Sequence, residues 1–316
     1  MKYPKISIIM PVYNRASLVQ ETLKSIQDQS YRNWESIVVD DDSTDDTWNV
    51  ISSFADNDNR IKIFKKPEGI LKGPSASRNY GLSKANGDFI HFFDSDDILQ
   101  LNFYEEIVSS FVSNNVDSVI TRIAFFEDSI KNNLRWMTPP LISKNFIVDV
   151  LSKQIVSTQN VLWRKNFLES TRILFNENVS AFEDIDFNIR NFVISNKFIV
   201  RNDLFVYIRK HKDSLTLSDK NIIKRNLDWL FVLVNLVKFL SDNNFYNVAV
   251  SKYAASQSKG LLMNLIREGY MDRHIYNYWL FMNKELMKSF QLFNLFIYNA
   301  KILLIASFSF LKKIVE

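Results

Sequence analysis

The chain contains no cysteine among its 316 residues. A disulfide, a zinc site built on thiolates and a thiol nucleophile are therefore all excluded. Glycine is scarce as well, with six residues, and their positions fit neither the G-x-G-x-x-G pattern nor the P-loop spacing of phosphate-binding proteins. With 47% hydrophobic and 14% aromatic residues, the chain is nevertheless globular and long enough for one large domain or two smaller ones.

Long apolar runs are also missing, because none approaches the ~20 residues that a bilayer-spanning helix needs. The N-terminus leads into Lys5 and an apolar strand without the charged leader and cleavage site of a secretory signal. We therefore expect a cytoplasmic protein. We expect no nucleic-acid partner.

Charge is distributed unevenly along the chain. The net charge is +4, but residues 221–316 hold 12 Lys and Arg against 6 Asp and Glu, so this segment alone carries +6. Lys301, Lys312 and Lys313 lie among Phe, Leu and Ile residues, which suits peripheral attachment to the anionic cytoplasmic face of a bacterial inner membrane. The alternative is that these C-terminal helices pack on the rest of the protein or form a homodimer.

An apolar run at residues 89–93 stops abruptly in three carboxylates, those of Asp94, Asp96 and Asp97. This pattern predicts a buried strand that ends in an acidic cluster. Carboxylates so close together raise one another's pKa unless a cation neutralises them. Oxygen ligands suit a hard ion, Mg²⁺ or Mn²⁺, whose open positions substrate phosphates fill. The alternative is an acidic turn in which Asp97 is the N-cap of a helix over residues 101–113.

The order of elements around this cluster predicts an α/β fold. Apolar strands near residues 5–10, 37–39, 61–64 and 88–94 alternate with amphipathic helices, which implies a mostly parallel sheet with helices on both faces. Ligands bind at the carboxyl ends of such strands. Because Tyr13 and Asp41 follow the first two strands, we expect them to line one nucleotide-sized site together with the acidic cluster.

The later part of the domain adds a second set of candidates. We predict strands over 116–126, 156–163 and 204–209 and a helix over about 143–154. Glu183 and Asp184 open another helix. Acids in a first helical turn complement the helix dipole, or one of them is a base beside the metal site, and the spacing alone leaves both readings open. Helices are also predicted over 229–240, 253–266 and 274–287.

Six sequence blocks together resemble the inverting family 2 glycosyltransferases, nucleotide-sugar enzymes of the GT-A fold. The match runs over about residues 4–216, and its specificity lies in the order of the blocks. The blocks are Ile8–Asn14, Val38–Asp45, Ala76–Gly81, Phe93–Asp97 as the D-x-D motif, Glu183–Asp184 and Tyr207–His211. The family usually has glycine where this chain has Asp42. The resemblance implies a catalytic domain over residues 1–218 and a helical C-terminal region over 219–316.

The resemblance also implies a role for each matching residue. Asp184 would be the catalytic base, and Asp96 and His211 would bind Mn²⁺ or Mg²⁺. Asp97 and Glu183 would be supporting acids. The resemblance does not assign the acceptor site, which depends on the 125–180 segment, where Gln159 and Trp163 are candidate acceptor contacts. The residues assigned to the nucleotide are Pro11, Tyr13, Asn14, Arg15, Asp41, Arg78, Asp94 and Ser95.

The implied reaction moves a hexose from a UDP-sugar to a hydroxyl of a glycan or lipid-linked glycan. A direct displacement at the anomeric carbon would turn an α-linked donor into a β-linked product in cell-surface polysaccharide synthesis. Two alternatives remain at this point. One is a phosphohydrolase of the haloacid-dehalogenase type, although its D-x-D belongs on the first strand. The other is a catalytically inactive scaffold that binds nucleotide-sugars.

Overall fold

The computed structural model describes residues 3–127, 129–131, 134–137, 146–153, 155–211, 222–245 and 247–268, together with residues 277, 278, 280, 281 and 284. The strands are β1 (Ile6–Val12), β2 (Trp34–Asp40), β3 (Ile61–Lys65), β4 (Phe89–Phe92), β5 (Ile98–Leu99), β6 (Ser118–Phe126), β7 (Arg135–Trp136), β8 (Val161–Arg164) and β9 (Phe198–Arg209). The helices are α1 (Val19–Gln27), α2 (Thr47–Asn57), α3 (Pro74–Lys84), α4 (Phe103–Ser113), α5 (Phe146–Lys153), α6 (Lys165–Thr171), α7 (Glu183–Ile194), α8 (Ile222–Asp242) and α9 (Val248–Arg267).

These strands form one sheet in the order β3-β2-β1-β4-β8-β6-β9-β5, with β7 paired to β6. The first four positions are parallel, as predicted. Beyond β4 the sheet is mixed, since β8 runs antiparallel to both β4 and β6, whereas β9 runs parallel to β6. The carboxyl ends of β1, β2 and β4 therefore meet at one edge of the sheet.

Both faces of the central strands are buried, which explains their continuous apolar sequence. Ile8 belongs to the core that α1 and α4 cover with side chains such as Leu23 and Phe103. Ile9 points to the opposite face, where α3 approaches. A Cβ at Gly81 would lie 2.5 Å from the Ile9 Cγ2 atom, so α3 packs this closely because residue 81 has no side chain. The predicted layers of helices on both faces are confirmed.

Three local predictions need correction. Asp97 is not a helix N-cap, because β5 follows it and α4 begins only at Phe103, after Asn102 in the left-handed conformation. The strand predicted over 156–163 is limited to Val161–Arg164. The last predicted strand is longer than expected and begins at Phe198, where it pairs with the start of β6.

Contacts divide the chain into two compact units. One comprises Met1–Asn178 and Glu183–Leu215, and the other comprises Val179–Phe182 and Thr216–Glu316. In the second unit α8 packs on α9, and buried residues of the pair include Leu233, Val237 and Leu265. The domain boundary after residue 218 stays a prediction.

The C-terminal prediction can be followed only in part. Lys301, Lys312 and Lys313 and most of the helix predicted over 274–287 lie outside the described residues. Within the described part of the chain, no helix has the length and apolar character to cross a membrane.

Candidate active site

The loops after β1 and β2 form one wall of the site at the carboxyl edge. Asn14 has a φ of +50° and links the two loops, because its N–H donates to the Ser43 Oγ at 3.0 Å and its Oδ1 accepts from the Thr44 N–H at 2.8 Å. Tyr13 lies 49% exposed beside this link. Asp42 has a φ of +66°, a conformation that glycine adopts most easily. The structure thus gives a physical reason for the glycine usually found in the family.

Asp41 is held in a fixed orientation at the end of β2. Its Oδ2 accepts a hydrogen bond from the Gly73 N–H at 2.7 Å, and its Oδ1 pairs with the ammonium of Lys66. Gly73 has a φ of +122°, which a residue with a side chain rarely adopts. Lys66 is buried and was not predicted from the sequence. Its signal was its place one residue beyond the end of β3, at the same edge of the sheet.

Arg78 joins the acidic cluster to the predicted catalytic helix. Its Nη2 lies 2.8 Å from the Asp94 Oδ1, and its Nη1 lies 3.0 Å from the Glu183 Oε1. Only 4% of the Arg78 side chain is exposed. Since residues 78 and 183 are far apart in sequence, this contact brings α3 and the start of α7 to one point.

Asp184 lies next to this ion pair but does not itself pair with the Arg78 guanidinium. The Ile185 N–H donates to its Oδ1 at 2.8 Å. Burial, followed by the negative charge of Glu183, raises the pKa of Asp184 to about 7, against an ordinary value of 3.8. Glu183 and Asp184 are neighbours in sequence, yet Glu183 pairs with Arg78, whereas Asp184 has a raised pKa. A carboxylate with such a pKa is poised to take up a proton near neutral pH.

Asp96 lies among nitrogen groups on the other side of the cluster. Its Oδ2 is 3.0 Å from the His211 Nε2 and 3.2 Å from the Arg15 Nε. One carboxylate and one imidazole facing each other form a donor set that suits Mn²⁺ or Mg²⁺. Both oxygens of Asp94, in contrast, already accept from Arg78 and Gln159.

The metal prediction therefore fits Asp96 and His211 as two protein ligands. Among the described residues, no group of three or more His, Asp or Glu side chains is arranged to hold a metal ion. With two protein ligands, coordination positions of the ion would remain for substrate phosphates to fill, as is common for Mg²⁺.

Asp97 has a structural position that the D-x-D pattern did not reveal. It is 2% exposed, and its Oδ1 accepts from the Arg209 N–H at 2.9 Å. The Arg209 Nε also donates to the Asp96 main-chain oxygen at 3.1 Å, and its guanidinium pairs with Glu21. Burial, and then the charges of Asp96 and Asp94, raise the pKa of Asp97 well above its usual range. Arg209 was missed as a site residue although it lies within the Tyr207–His211 block.

The remaining predicted residues differ in their surroundings. Pro11 lies within β1 and Ser95 is 6% exposed beside Asp94. Trp163 is 1% exposed and packs against Phe167 and Phe192 in the core. The burial of this indole leaves Trp163 almost no exposed surface for an acceptor, and its acceptor contact stays a prediction.

The comparison with protein families settles the wider assignment. The model described as "Glycosyl transferase family 2" matches residues 7–172, which is more than half of the chain. The chain belongs to glycosyl transferase family 2. This membership decides against the haloacid-dehalogenase alternative.

Two curated relatives illustrate the similarity. The chain is 27% identical over 258 residues to the Campylobacter jejuni GalNAc(5)-diNAcBac-PP-undecaprenol beta-1,3-glucosyltransferase, covering 79% of this chain and 81% of that protein. It is 40% identical over 111 residues to the Escherichia coli UDP-Glc:alpha-D-GlcNAc-diphosphoundecaprenol beta-1,3-glucosyltransferase WfgD, covering 35% of this chain and 42% of that protein.

Solved structures support the same fold. S. aureus TarS 1-349 in complex with UDP-GlcNAc aligns with a TM-score of 0.68 at 20% identity, covering 96% of this chain and 89% of that chain. The mannosyltransferase PcManGT from Pyrobaculum calidifontis, in complex with GDP-Man and Mn²⁺, aligns with a TM-score of 0.56 at 16% identity, covering 96% of this chain and 88% of that chain. The GT-A fold expected from the sequence blocks is confirmed.

Proposed function

We propose that this glycosyltransferase moves a hexose from a UDP-sugar to a hydroxyl of a lipid-linked or growing glycan, with inversion at the anomeric carbon. The observation that carries the proposal is Asp184, a partly buried carboxylate with a pKa of about 7 at the start of α7. It lies next to the Arg78 ion pair that joins Asp94 to Glu183. An acid group with this pKa can remove a proton from an acceptor hydroxyl at neutral pH.

The division of work between the two neighbouring acids follows from their partners. The Arg78 guanidinium lies 3.0 Å from the Glu183 carboxylate. Asp184 has no such pairing, and the charge of Glu183 adds to the cost of ionising it. Glu183 is therefore a supporting acid that makes Asp184 a stronger base. Removal of a general base typically lowers the rate by about 10² to 10⁴.

The donor would lie across the carboxyl ends of β1, β2 and β4. Tyr13 offers an exposed ring to the uracil, and Asp41 offers a carboxylate fixed by Gly73 and Lys66 to the uracil imide. Asp94 would accept from the ribose. Asp96 and His211 would hold the divalent ion. When bound, that ion neutralises the diphosphate as it leaves, an effect that is typically several kcal/mol.

The names of the relatives favour the donor and acceptor classes. The E. coli relative uses UDP-Glc and the C. jejuni relative is a glucosyltransferase named for an undecaprenol-linked glycan. The structural relative TarS is in complex with UDP-GlcNAc. We extend the UDP-sugar donor and the undecaprenol-linked acceptor class to this chain. Which hexose it transfers is the first question for experiment.

The experiment is a donor screen on the full chain. UDP-Glc, UDP-Gal, UDP-GlcNAc and UDP-GalNAc are each incubated with Mn²⁺ and GlcNAc-diphosphoundecaprenol, and UDP release is measured against the Asp184→Asn variant. We expect one donor to give acceptor-dependent UDP release and a β-linked product by NMR. An α-linked product would contradict inversion. UDP binding without transfer to this or a longer lipid-linked glycan would favour the inactive scaffold.

We also propose that the +6 segment of residues 221–316 keeps the enzyme on the cytoplasmic face of an anionic membrane, where lipid-linked acceptors lie. Flotation of the full chain with phosphatidylglycerol-containing and with neutral liposomes tests this, and we expect flotation with the anionic ones only. A stable dimer that floats with neither would support the alternative of a homodimer through the C-terminal helices.

A further inference from the structure

His91 is a fully buried histidine in β4, three residues before the acidic cluster. Its Nε2 lies 2.7 Å from the Gln159 main-chain oxygen, and its Nδ1 lies 3.0 Å from the Tyr104 hydroxyl. A carbonyl oxygen can only accept, so the proton is on Nε2 and the hydroxyl of Tyr104 donates to Nδ1. Burial lowers the pKa of His91 to about 4. The ring is therefore neutral at physiological pH, with both nitrogens satisfied.

Gln159 connects this histidine to the site. While its main-chain oxygen accepts from His91, its side-chain amide donates to the Asp94 Oδ2. The other oxygen of Asp94 accepts from Arg78 at 2.8 Å. The Asp94 carboxylate is thus held at both oxygens, by groups from α3 and from the segment before β8.

The segment that carries Gln159 has little regular structure of its own. Residues 155–160 form no strand, and β8 begins only at Val161. Its shape depends on the buried Asn160, whose Oδ1 accepts from the Ser157 N–H at 2.8 Å and whose Nδ2 donates to the Ile155 oxygen at 3.1 Å. A main-chain position that depends on side-chain hydrogen bonds is disturbed more easily than one held by the hydrogen bonds between paired strands. His91 supplies such a contact directly at residue 159.

We propose that His91 and Gln159 are positioning residues that orient Asp94 for the donor nucleotide. Gln159 acts through its side-chain amide, and His91 acts by fixing the Gln159 main chain. The proposal rests on the proposed function, because Asp94 is assigned there to the donor ribose. It also gives Gln159 a role different from the acceptor contact expected from the sequence.

A charged carboxylate with only one fixed oxygen is free to rotate, and an ordered hydrogen-bond donor to a charged group has a large effect. We therefore expect loss of either link to weaken binding of UDP about tenfold, as for one charge-assisted hydrogen bond. Because the two residues act in series on the same carboxylate, their effects should not add. The double variant should bind UDP about as well as the weaker single variant.

The experiment compares Gln159→Met, His91→Phe and their combination with Tyr104→Phe as the matched control. Calorimetry measures UDP affinity in the presence of Mn²⁺, and thermal unfolding measures stability. Tyr104→Phe also removes a buried hydrogen bond of His91 but leaves the bond to Gln159 intact. We expect Tyr104→Phe to lower the midpoint of unfolding with UDP affinity within about twofold of the native chain. The two positioning variants should lose affinity about tenfold.

Equal UDP affinity of Gln159→Met and the native chain would overturn the positioning role while leaving the proposed function intact. If His91→Phe lowers only the midpoint of unfolding, as Tyr104→Phe should, then His91 is a core residue and its positioning role is also overturned. If His91→Phe does not fold, Gln159→Met still tests the contact between Gln159 and Asp94. The contact between His91 and Gln159 is then tested with His91→Gln, which retains an amide N–H for the Gln159 main-chain oxygen. A native chain that binds no UDP at all would instead refute the proposed function.

Discussion

The two edges of the parallel part of the sheet each hold an ion cluster around a buried charged side chain, Glu35 or Arg78, and their charge balance is opposite. At the amino edge, Glu35 accepts from Lys5 at 2.8 Å, Lys62 at 2.7 Å and Ser7 at 2.7 Å. At the carboxyl edge, Arg78 is one cation between two acids, with Asp184 next to it. The first cluster has more cations than acids, and the second has more acids than cations.

The pKa values follow this balance. Burial alone would raise the pKa of Glu35, but the hydrogen bonds from Lys5, Lys62, Ser7 and the Asn86 N–H lower it to about 2. Burial raises the pKa of Asp184 to about 7, and here the next largest effect, the negative charge of Glu183, acts in the same direction. The amino-edge cluster, in which Glu35 is fully paired, therefore stabilises the fold. The carboxyl-edge cluster, which has an excess of acids, maintains a reactive Asp184 at some cost in stability.

The largest expected effect is on Asp184→Asn. Transfer should fall at least about a hundredfold because the base is lost. Above pH 7 the variant should also be more stable than the native chain, by on the order of 1 to 4 kcal/mol, since a buried carboxylate no longer ionises. Turnover with saturating donor and thermal unfolding at pH 8 measure the two effects. If Glu183→Gln is inactive and Asp184→Asn turns over normally, the roles within the pair are reversed.

The amino-edge cluster should respond in the opposite way. Glu35→Gln leaves Lys5 and Lys62 without an acid and should cost about 2 to 3 kcal/mol of unfolding free energy at pH 7. The rate per folded molecule should not change. Denaturant unfolding and active-site titration with UDP distinguish these quantities. The control is Asp28→Asn, which breaks the exposed pair with Lys24 and should cost less than about 1 kcal/mol. A rate loss in Glu35→Gln would mean that the two edges are coupled.

The pH dependence of the two clusters should separate cleanly. The turnover number should fall about tenfold per pH unit below pH 7, as Asp184 takes up a proton, and level off above it. Stability from Glu35 is present above its unfolded pKa near 4.5 and is lost as pH falls towards about 2, because its folded pKa is lowered. A turnover profile and a series of melting curves measure this. A flat turnover profile between pH 5.5 and 7 would argue against Asp184 as the base.

The smallest expected effect concerns the metal. UDP affinity should be about threefold to tenfold higher with Mn²⁺ than with EDTA, because Asp96 and His211 would hold an ion that offsets the charge of the diphosphate. In Asp96→Ala the two affinities should be equal. Asp186→Asn is the matched control, because Asp186 pairs with Arg190 at 2.8 Å rather than with the site. A native chain with the same affinity under both conditions would contradict the metal ligands proposed here.

The part of the site that follows β1, β2 and β4 could largely be predicted, because it depends on local sequence patterns. Asp41 and Asp94 each follow an apolar strand, and parallel strands bring their carboxyl ends to one edge. Sequence reasoning failed where contacts are long-range. Asp97 was read as a possible N-cap, but Arg209 binds it from 112 residues away. The burial of Trp163 within β8 was not anticipated either, although its possible contact with an acceptor stays a prediction.

The alternation of the first four strands with helices, the GT-A fold and the family could be inferred from the sequence alone, since these depend on periodic apolar patterns and on short blocks in a fixed order. The resemblance already favoured Asp184 over Glu183 as the base, but the different surroundings of these two adjacent acids come from the tertiary structure alone. Arg78 pairs with Glu183 at 3.0 Å, and burial raises the pKa of Asp184 to about 7. Proton affinity depends on burial and on charges within a few ångströms, and those neighbours come from distant parts of the chain.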